Sequence, residues 1–388
     1  MTGGIAAYKI PDLVSRLARL DCEVEILMTR AAERLVSPLA LATLSGRRVW
    51  RQDDFLSCER GFEIPHIRVS DWAEVVLPIC TANTASDLAH GRGESLISSA
   101  LLAARGPVLL FPAMNVHMFE HPATQQNLRV LSERGVRVVD PAFGALACGY
   151  EGKGRLPETD LILEELFRAL APKRDMEGVR LLVTAGPTRE YLDPVRYLSN
   201  PSTGRMGIAM ARTAWYRGAE VKLVLGPVEG TGTLHGLEVR RVVSALEMYD
   251  AVMEESDWAS CVVKAAAVGD YRARNRSPRK IKREGRETVS IELEQNPDIA
   301  AEVGRRKRQV LIGFAAETDD LLKNARAKME RKGLDLIVAN DVLAPGCGFG
   351  ADTNTVRVLS RDEETVLSGS KEEVADGVWD LVAGRGLF

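Results

Sequence analysis

The sequence has no uninterrupted apolar run that approaches the ~18 residues needed to cross a bilayer. Its first residues, Met-Thr-Gly-Gly-Ile-Ala-Ala-Tyr-Lys, lack the basic segment and apolar core of a signal peptide. The six cysteines include no close pair, which argues against both a zinc site and a disulfide framework. The net charge of −3 argues against a general nucleic-acid binder. These absences predict a cytoplasmic protein that binds neither membrane nor nucleic acid.

What is present is the composition of an ordinary globular protein, with 45% hydrophobic and 27% charged residues. A chain of 388 residues is too long for one ordinary core, so we expect two domains. The segment 171–178 is polar, contains Pro and Gly, and precedes a fresh apolar run. We therefore predict one domain over residues 1–172 and a second over residues 173–388.

Both predicted domains alternate short β-branched runs with helical patterns, which is the signature of parallel α/β sheets. The strands predicted in the first domain are 23–28, 74–77, 107–111 and 136–139, with helices at 9–20 and 124–134. The strands predicted in the second are 181–183, 220–225, 261–263, 310–314 and 334–339, and then 355–359 in an edge hairpin. The predicted fold class is α/β, with a doubly wound parallel sheet in each domain.

Two turns lie close together near the start of the second domain. Thr184–Glu190 follows a predicted strand, and Gly186-Pro187 break that strand with a turn that presents backbone N–H groups. Asn200–Gly207 opens a predicted helix through a Ser/Thr/Gly cluster. Either turn alone fits an ordinary βα connection. Together, two strand-to-helix openings predict a nucleotide or a phosphorylated substrate.

A basic run follows in the same domain. Arg272–Arg283 contains seven basic residues in twelve and comes directly after Ala266–Tyr271, which we place at a strand end. This arrangement fits a loop that closes over a triphosphate, and a solvated charged face is the alternative. Lys328 and Lys332 are spaced i,i+4 on a predicted helix face, where a pair of surface lysines is the alternative.

The first domain has weaker signals. Gly3-Gly4 leads into a helix at Ile5 and is a possible phosphate cradle. Thr81–Thr84 follows a predicted strand, at the edge where α/β sheets bind ligands. Asn115 follows another strand end and suits a carboxylate or an amide.

Two further side chains of the first domain are candidates for proton transfer. His66 is a candidate base, although a lone His is more often packed or solvated. Cys148 lies in a Gly-rich loop flanked by basic residues, which is the environment of a reactive thiol. The other cysteines fit core positions.

In this order the motifs resemble the bifunctional enzymes of coenzyme A biosynthesis, in which a phosphopantothenoylcysteine decarboxylase is fused to a phosphopantothenate–cysteine ligase. The resemblance covers nearly the whole chain. The matching segments are Gly3–Lys9, Thr81–Thr84, Pro112–Asn115, Ala147–Gly149, Thr184–Glu190, Ser199–Gly207, Ala266–Tyr271, Lys280–Lys282, Asn296–Ile299, Gly313–Thr318 and Val338–Val342.

The resemblance implies a flavodoxin-like first domain that uses FMN. In this family FMN oxidises the substrate thiol, and the resulting thioaldehyde makes loss of CO2 easy. The family's active-site His matches His66, its carboxylate-binding Asn matches Asn115, and its protonating Cys matches Cys148. The FMN contacts expected from the match are Gly3, Gly4, Ile5, Thr81, Asn83 and Thr84.

The resemblance also implies a Rossmann-like ligase as the second domain. CTP and Mg2+ activate 4′-phosphopantothenate as an acyl-cytidylate, which the amine of cysteine attacks. Asn200 matches the residue that contacts the acyl group, and Lys280 matches the essential lysine near the phosphates. The expected CTP contacts are Ala266, Ala267, Asp270, Lys280, Asn296, Pro297, Asp298, Ile299, Phe314, Lys328 and Lys332. No side chain is assigned as a metal ligand. The product of the second domain is the substrate of the first.

The family implies a homo-oligomer, with a trimeric first domain and a dimeric second domain. It has a further strand before the Gly-Gly turn, whereas this sequence starts two residues ahead of Gly3. We therefore expect either an upstream start or a first sheet that lacks its central strand. An alternative is a ligase whose inactive decarboxylase domain serves as an oligomerisation scaffold. A third interpretation is a non-enzymatic flavoprotein, against which the joint presence of His66, Asn115, Cys148, Asn200 and Lys280 argues.

Overall fold

A computed structural model describes residues 1–56, 64–147, 149–282, 288–306, 308–317, 320–341 and 353–388. These residues form two compact units, Met1–Leu170 and Ala171–Phe388. Four residues named in the sequence analysis, Cys148, Arg283, Thr318 and Val342, lie outside the described residues. Within the described ranges, no helix combines the length and the apolar character that crossing a bilayer requires.

The first unit alternates helices with short strands. Its α-helices are α1 (Ile10–Arg19), α2 (Arg30–Glu33), α3 (Pro38–Ser45), α4 (Pro65–Trp72), α5 (Ala82–Ala89), α6 (Leu96–Ala103), α7 (Val116–Glu120), α8 (Pro122–Glu133) and α9 (Thr159–Leu170). Its strands are β1 (Ile26–Met28), β2 (Val49–Arg51), β3 (Ile79–Cys80), β4 (Leu109–Pro112), β5 (Arg137–Val138), β6 (Ala142–Ala145) and β7 (Glu151–Arg155). Short 3₁₀ helices cover Ile5–Lys9 and Gln52–Asp54.

The parallel strands of this unit fall into two sheets. Strand β1 pairs with β2, and β3, β4 and β5 form the other sheet in that order. The first residues of the chain are bonded to both, because Thr29 N–H donates to Met1 O (3.3 Å) and Thr2 N–H donates to Ile79 O (3.3 Å). Strand β4 is buried on both faces, as expected for a parallel strand covered by helices.

The strand predicted at 74–77 is displaced towards the carboxyl side. Val76 bonds to Pro107 O and accepts from Leu109 N–H, and the same ladder continues as far as Cys80. Pro78 accepts a hydrogen bond in this ladder from Phe111 N–H, but it has no N–H of its own, so one bond of the ladder is missing there. As a result, only Ile79–Cys80 forms a regular strand, and Thr81 comes directly after it.

The second unit contains longer strands. Its strands are β8 (Arg180–Ala185), β9 (Arg189–Tyr191), β10 (Tyr197–Ser199), β11 (Glu220–Leu225), β12 (Glu238–Arg241), β13 (Cys261–Lys264), β14 (Tyr271–Ala273), β15 (Leu293–Gln295), β16 (Val310–Glu317), β17 (Leu336–Asp341), β18 (Thr353–Leu359) and β19 (Glu364–Ser370). Its helices are α10 (Arg205–Tyr216), α11 (Ala245–Glu255), α12 (Ile299–Arg306), α13 (Leu321–Lys332) and α14 (Lys371–Gly384).

Eight of these strands form one sheet in the order β12-β11-β8-β13-β16-β17-β18-β19. The strands from β12 to β17 are parallel, and β18 and β19 add an antiparallel hairpin at one edge. Alternate residues of the central strands pack on opposite faces, against α10 and α14 on one side and α11, α12 and α13 on the other. The α/β class with parallel sheets is therefore confirmed.

The strand order reverses beside β8. The chain passes from β8 through α10 to β11 on one side, and later through α11 to β13 on the other side. The crevice at the carboxyl ends of β8 and β13 is thus the topological switch point, where open α/β sheets bind ligands.

The prediction of two strand-to-helix openings is wrong for the first of them. The turn at Gly186-Pro187 leads into β9, which pairs antiparallel with β10, so a hairpin and not a helix follows. The hairpin is favoured because Arg189 N–H donates to Val243 O (2.8 Å) and extends the chain there. The second turn does open a helix, since Gly204 adopts a positive φ of 71° as the residue before α10.

Candidate functional site

At the switch point, the loops after β8 and β13 are bonded to each other. Thr184 O accepts from Ala265 N–H (3.2 Å), and Gly186 O accepts from Ala267 N–H (2.9 Å). Thr188 continues the ladder, because its hydroxyl accepts from Gly269 N–H (2.9 Å). The segments 184–188 and 265–269 therefore form one continuous wall at the carboxyl edge of the sheet.

Asn200 lies against this wall. Its side-chain amide donates to Ala267 O (3.3 Å) and Val268 O (3.2 Å). The neighbouring Ser199 hydroxyl donates to Thr188 O (2.7 Å). The Asn200 side chain thus meets the main chain of a loop 67 residues further along the chain.

Asn296 extends the wall towards helix α12. Its amide donates to Gly269 O (2.8 Å) and its N–H donates to Asp270 O (2.8 Å), which places Pro297 and Asp298 next along the edge. Asp298 accepts from Ala301 N–H (3.0 Å) at the start of α12 and pairs with Lys332 (3.2 Å).

The Asp298 carboxylate is stabilised in its charged form. Burial raises its pKa, but the hydrogen bond from Ala301 N–H and the ammonium of Lys332 outweigh burial and lower it. Asp298 therefore keeps its negative charge and holds the Lys332 ammonium at the edge of the site.

The structure separates the remaining predicted nucleotide contacts into two kinds. The Lys328 ammonium donates to Phe314 O (2.9 Å), so these two residues lie together on the neighbouring strand and helix. The side chain of Ile299 instead belongs to the hydrophobic core. Ile299 can therefore present only its backbone to a ligand.

Lys264 is a residue that the motif analysis missed. It ends strand β13, and its ammonium is buried without a hydrogen-bond partner among the described residues. Burial lowers the pKa of Lys264 to about 7; the nearby Lys332 ammonium adds to this lowering, and Asp298 opposes it. The available signal was a cationic residue at the end of the apolar run Cys261–Val263.

The basic run divides into paired and unpaired side chains. Arg272 pairs with Glu294 (2.8 Å) and Arg274 pairs with Glu292 (2.5 Å) across β14 and β15. The side chains of Lys280 and Lys282 are exposed, and neither makes a hydrogen bond or an ion pair within the described part of the chain. Both ammonium groups are therefore available to an anionic ligand.

In the first unit, two of the predicted FMN residues, Gly4 and Thr81, meet at the carboxyl ends of β3 and β4. Gly4 approaches so closely that an added Cβ would lie 3.4 Å from Ala113 O and 3.4 Å from Thr81 Cγ2. A Cβ on Gly3 would lie 2.3 Å from Ala31 Cβ. Thr81 N–H donates to the Thr2 hydroxyl (3.1 Å), and Thr81 precedes α5.

The other four predicted residues near this edge differ in their surroundings. The amide of Asn83 donates to Asp87 (3.0 Å) within α5, and Thr84 is buried. The Asn115 side-chain oxygen accepts from His117 N–H (2.9 Å) at the start of α7. Ile5 is exposed at the start of the 3₁₀ helix.

The β6–β7 hairpin packs beside Asn115. Gly154 O accepts from Met114 N–H (2.9 Å), and the ring of His117 meets Tyr150 edge-on (5.1 Å between centroids). The hairpin loop contains position 148, which lies outside the described residues.

His66 lies on a different element, in the first turn of α4. Its ring packs edge-on against Phe55 with centroids 5.5 Å apart. The Nδ1 atom of His66 is buried and has no hydrogen-bond partner in the described ranges. Across the residues that the structure describes, no group of three or more His, Cys, Asp or Glu is arranged to hold a metal ion.

Comparisons with known proteins agree with this two-part arrangement. Residues 1–171 match the Flavoprotein family, and residues 176–385 match the DNA/pantothenate metabolism flavoprotein C-terminal domain. The coenzyme A biosynthesis bifunctional protein CoaBC of Bacillus subtilis (strain 168) is 43% identical over 366 residues, which cover 93% of this chain and 89% of the relative.

Two further relatives are similar. CoaBC of Escherichia coli (strain K12) is 40% identical over 379 residues, which cover 96% of this chain and 93% of the relative. The crystal structure of the C-terminal domain of a coenzyme A biosynthesis bifunctional protein CoaBC is 38% identical, with a TM-score of 0.46; the match covers 54% of this chain and 96% of that one. The resemblance inferred from the motifs is confirmed: this chain belongs to the CoaBC family of bifunctional enzymes of coenzyme A biosynthesis.

Proposed function

We propose that the second half of this bifunctional enzyme joins 4′-phosphopantothenate to cysteine at the expense of CTP, and that the first half decarboxylates the product to 4′-phosphopantetheine with FMN. The observation that carries the proposal is the convergence of Asn200, Ala266–Asp270 and Asn296–Asp298 at the switch point of the second sheet. A ligand that reaches this crevice meets all three segments.

In the ligase, charge and orientation are the contributions of the protein. Lys280 is exposed and carries no partner in the described ranges, so its ammonium is suited to offset the charge of a triphosphate. The Asn200 side chain is fixed by the bonds that its NH2 group donates to two backbone carbonyls, and we place the acyl group beside it. We propose that Mg2+ arrives with the nucleotide, held by phosphate and water.

We propose that the remaining predicted nucleotide contacts face the same ligand. Lys332 is held by Asp298, and Lys328 by the carbonyl of Phe314, so both ammonium groups are oriented before the ligand binds. Such preorganisation lowers the cost of ordering side chains during binding. We also propose contacts to CTP from residues of the wall and from the residues that follow it, namely Ala266, Ala267, Asp270, Asn296 and Pro297. Ile299 would contribute its backbone, since its side chain lies in the core.

For the decarboxylase, the residues present fit a bound flavin. Gly4 leaves room beside Thr81 and Ala113 that a side chain would fill, and the buried Nδ1 of His66 lacks a partner in the described part. We propose that Gly3, Gly4, Ile5, Thr81, Asn83 and Thr84 hold FMN, which when bound exchanges two electrons with the substrate thiol.

The first unit's own groups bind the substrate and move protons. We assign the Asn115 amide to the substrate carboxylate, because an amide N–H is a neutral donor that orients a carboxylate before it leaves as CO2. Cys148 is assigned as the proton donor to the decarboxylated carbon, and His66 as a second acid–base group.

We propose a homo-oligomer in which the first units form trimers and the second units form dimers. The second unit exposes apolar side chains on two neighbouring hairpins, with Tyr197 and Leu198 on β10, Tyr271 on β14 and Leu293 on β15. Exposed apolar clusters of this kind are typical of protein interfaces. Sedimentation equilibrium of the full chain tests this assembly, and a monomer at micromolar concentration would contradict it.

Two substitutions test the assignment of the two chemistries to two sites. Cys148→Ser is expected to stop decarboxylation, so that phosphopantothenoylcysteine accumulates at the wild-type rate of ligation. Lys280→Gln is expected to slow ligation about 100-fold while flavin absorbance stays unchanged, since a donor to developing charge is lost. Mass spectrometry of the products measures both effects.

Loss of ligation in Cys148→Ser would contradict the separation of the sites. Wild-type ligation in Lys280→Gln would show that the phosphate loop is misplaced. The alternative of an inactive decarboxylase half predicts that the wild-type enzyme itself stops at phosphopantothenoylcysteine, even when FMN is added.

A further inference from the structure

The loop between β9 and β10 contains a carboxylate with no exposed surface. Asp193 Oδ1 accepts from Val195 N–H (2.7 Å) and Arg196 N–H (2.8 Å), which fixes the turn. Its other oxygen, Oδ2, accepts from the Arg196 guanidinium (2.9 Å). The turn is therefore built around one buried charge.

The same carboxylate reaches a distant part of the chain. Asp193 Oδ2 also accepts from Ile281 N–H (3.0 Å), and the Arg196 guanidinium donates to Ile281 O (2.8 Å). Both backbone polar groups of Ile281 are thus held by one acid–base pair. A further bond, from Ser277 N–H to Leu192 O (2.9 Å), ties the two segments together four residues earlier.

The charge on Asp193 makes this grip strong. Burial raises the pKa of Asp193, but hydrogen bonds from the N–H groups of Ile281, Val195 and Arg196, together with the Arg196 guanidinium, lower it well below its usual range. Hydrogen bonds to an ionised acceptor are stronger than bonds between neutral groups.

Ile281 lies between the two exposed lysines of the basic run. The ammonium groups of Lys280 and Lys282 make no bond of their own in the described ranges, so the backbone at Ile281 determines where both side chains begin. The side chains of Arg272 and Arg274, in contrast, are fixed by ion pairs across their hairpin.

We propose that Asp193 and Arg196 are positioning residues of the ligase, which hold the backbone at Ile281 so that the Lys280 ammonium meets the triphosphate. This inference rests on the role proposed above for Lys280. The two residues affect the rate only by setting the position of Lys280. A displacement of about 1 Å at such a group can lower the rate on the order of 100-fold.

A double-mutant cycle tests the inference on the full-length enzyme. In Asp193→Asn, we expect kcat/KM for CTP in ligation to fall about 10- to 100-fold, because an amide NH2 in place of Oδ2 can accept from neither Ile281 N–H nor the Arg196 guanidinium. In the Lys280→Gln background, the same change is expected to lower the rate less than about twofold, since the ammonium that it positions is absent.

Arg196→Lys is a second variant for the case that Asp193→Asn does not fold. Its side chain is half exposed, and lysine keeps the charge but loses the planar guanidinium whose Nη1 donates to both Asp193 Oδ2 and Ile281 O. We expect a loss of about tenfold, again absent in the Lys280→Gln background. Glu292→Gln is the matched control, because it removes an exposed carboxylate bonded to Arg274 without touching Ile281. Its ligation rate is expected to stay unchanged.

The outcomes separate the inference from the proposed function. Wild-type ligation in Lys280→Gln would overturn the role of Lys280, and the positioning inference with it. If Lys280→Gln slows ligation, and adding Asp193→Asn slows ligation further by the same factor as in the wild type, the positioning inference alone is overturned. Faster amide hydrogen exchange across 277–282 in Asp193→Asn, with unchanged exchange in Glu292→Gln, supports it.

Discussion

The two halves of this chain build the ligand-binding edge of their sheets in different ways. In the second half, β8 and β13 are neighbours in one sheet, and the loops that follow them are bonded main chain to main chain. In the first half, the edge is assembled from two separate sheets, with Met1 and Thr2 bonded to both. The difference is one of local geometry rather than of fold class.

The comparison teaches what holds each site in place. A wall of backbone hydrogen bonds, as in 184–188 and 265–269, fixes a site whatever side chains it carries. In the first half, Gly154 approaches the main chain of Met114 so closely that an added Cβ would lie 2.2 Å from Met114 O. We therefore expect that a substitution that disrupts the site of one half leaves the activity of the other half unchanged.

The largest expected effect concerns the packing of the second half. Arg217 is buried and pairs with Asp175 (2.6 Å) and Asp380 (2.8 Å), which joins the start of the unit to α10 and α14. Arg217→Ala removes the buried cation from Asp175 and leaves Asp380 with Lys173 (2.7 Å), at a cost of about 3 kcal/mol. We expect ligation to be lost at a lower temperature while flavin absorbance persists, as thermal inactivation curves would measure.

Arg308→Ala is the control for this prediction. Arg308 pairs with Asp257 (3.2 Å) where both side chains are largely exposed, so its removal costs about 0–1 kcal/mol. Equal shifts in the two variants would contradict the structural role of the buried cation.

A pair of glycine substitutions is the next largest effect and separates the two sites. A Cβ on Gly226 would lie 1.9 Å from Pro187 O, which displaces the Gly186-Pro187 turn. A Cβ on Gly154 would lie 2.2 Å from Met114 O, at a φ of 151°. We expect Gly226→Ala to cut ligation at least tenfold, and Gly154→Ala to cut decarboxylation of supplied phosphopantothenoylcysteine by a similar factor, each at ~1–3 kcal/mol.

The control for the pair is Gly384→Ala, because a Cβ at that position meets nothing within 4 Å. Each activity is assayed with its own substrate. If either glycine variant lost both activities equally, the independence of the two sites would be contradicted.

The smallest effect is a dependence of stability on pH that is confined to the second half. The pKa of Lys264 falls from 10.5 to about 7 on folding, so the unfolded chain binds more protons between these values and stability rises with pH across that window. Lys264→Met removes the buried ammonium and is expected to raise the inactivation temperature of the ligase by ~2–4 °C at pH 6.5, about 1 kcal/mol. The gain should vanish near pH 10. A gain that is the same at both pH values would contradict a titrating Lys264.

Much of the second half is predictable from its sequence, because its central strands are continuous apolar runs, such as 181–183 and 261–263. These runs are buried on both faces of the sheet. The hairpin after Gly186 is not predictable in this way, because the turn at Gly186-Pro187 is compatible with either a helix or a strand. The strand is favoured by the hydrogen bond from Arg189 N–H to Val243 O, which lies far along the chain. In the first half, the apolar run 74–77 predicts a strand in nearly the right place, and Pro78 shifts it.

Some predicted site residues come together in the structure, whereas the residues that support them carry no motif. Asn200 and Asn296 lie in recognisable motifs, and the structure brings both to the same wall. Asp193 contacts a residue 88 positions away, a pairing that no local pattern contains. Lys264 ends an apolar strand, and its pKa is affected by Lys332 and Asp298, which lie far along the chain. Sequence patterns indicate chemistry, whereas support by distant residues requires the fold.

The central claim, two chemistries in two sites of one chain, is tested most directly by one assay. The purified enzyme is incubated with 4′-phosphopantothenate, cysteine, CTP, Mg2+ and FMN, and the products are identified by mass spectrometry. The account predicts 4′-phosphopantetheine, with phosphopantothenoylcysteine as a transient species. Accumulation of phosphopantothenoylcysteine without decarboxylation, or no consumption of 4′-phosphopantothenate, would contradict it.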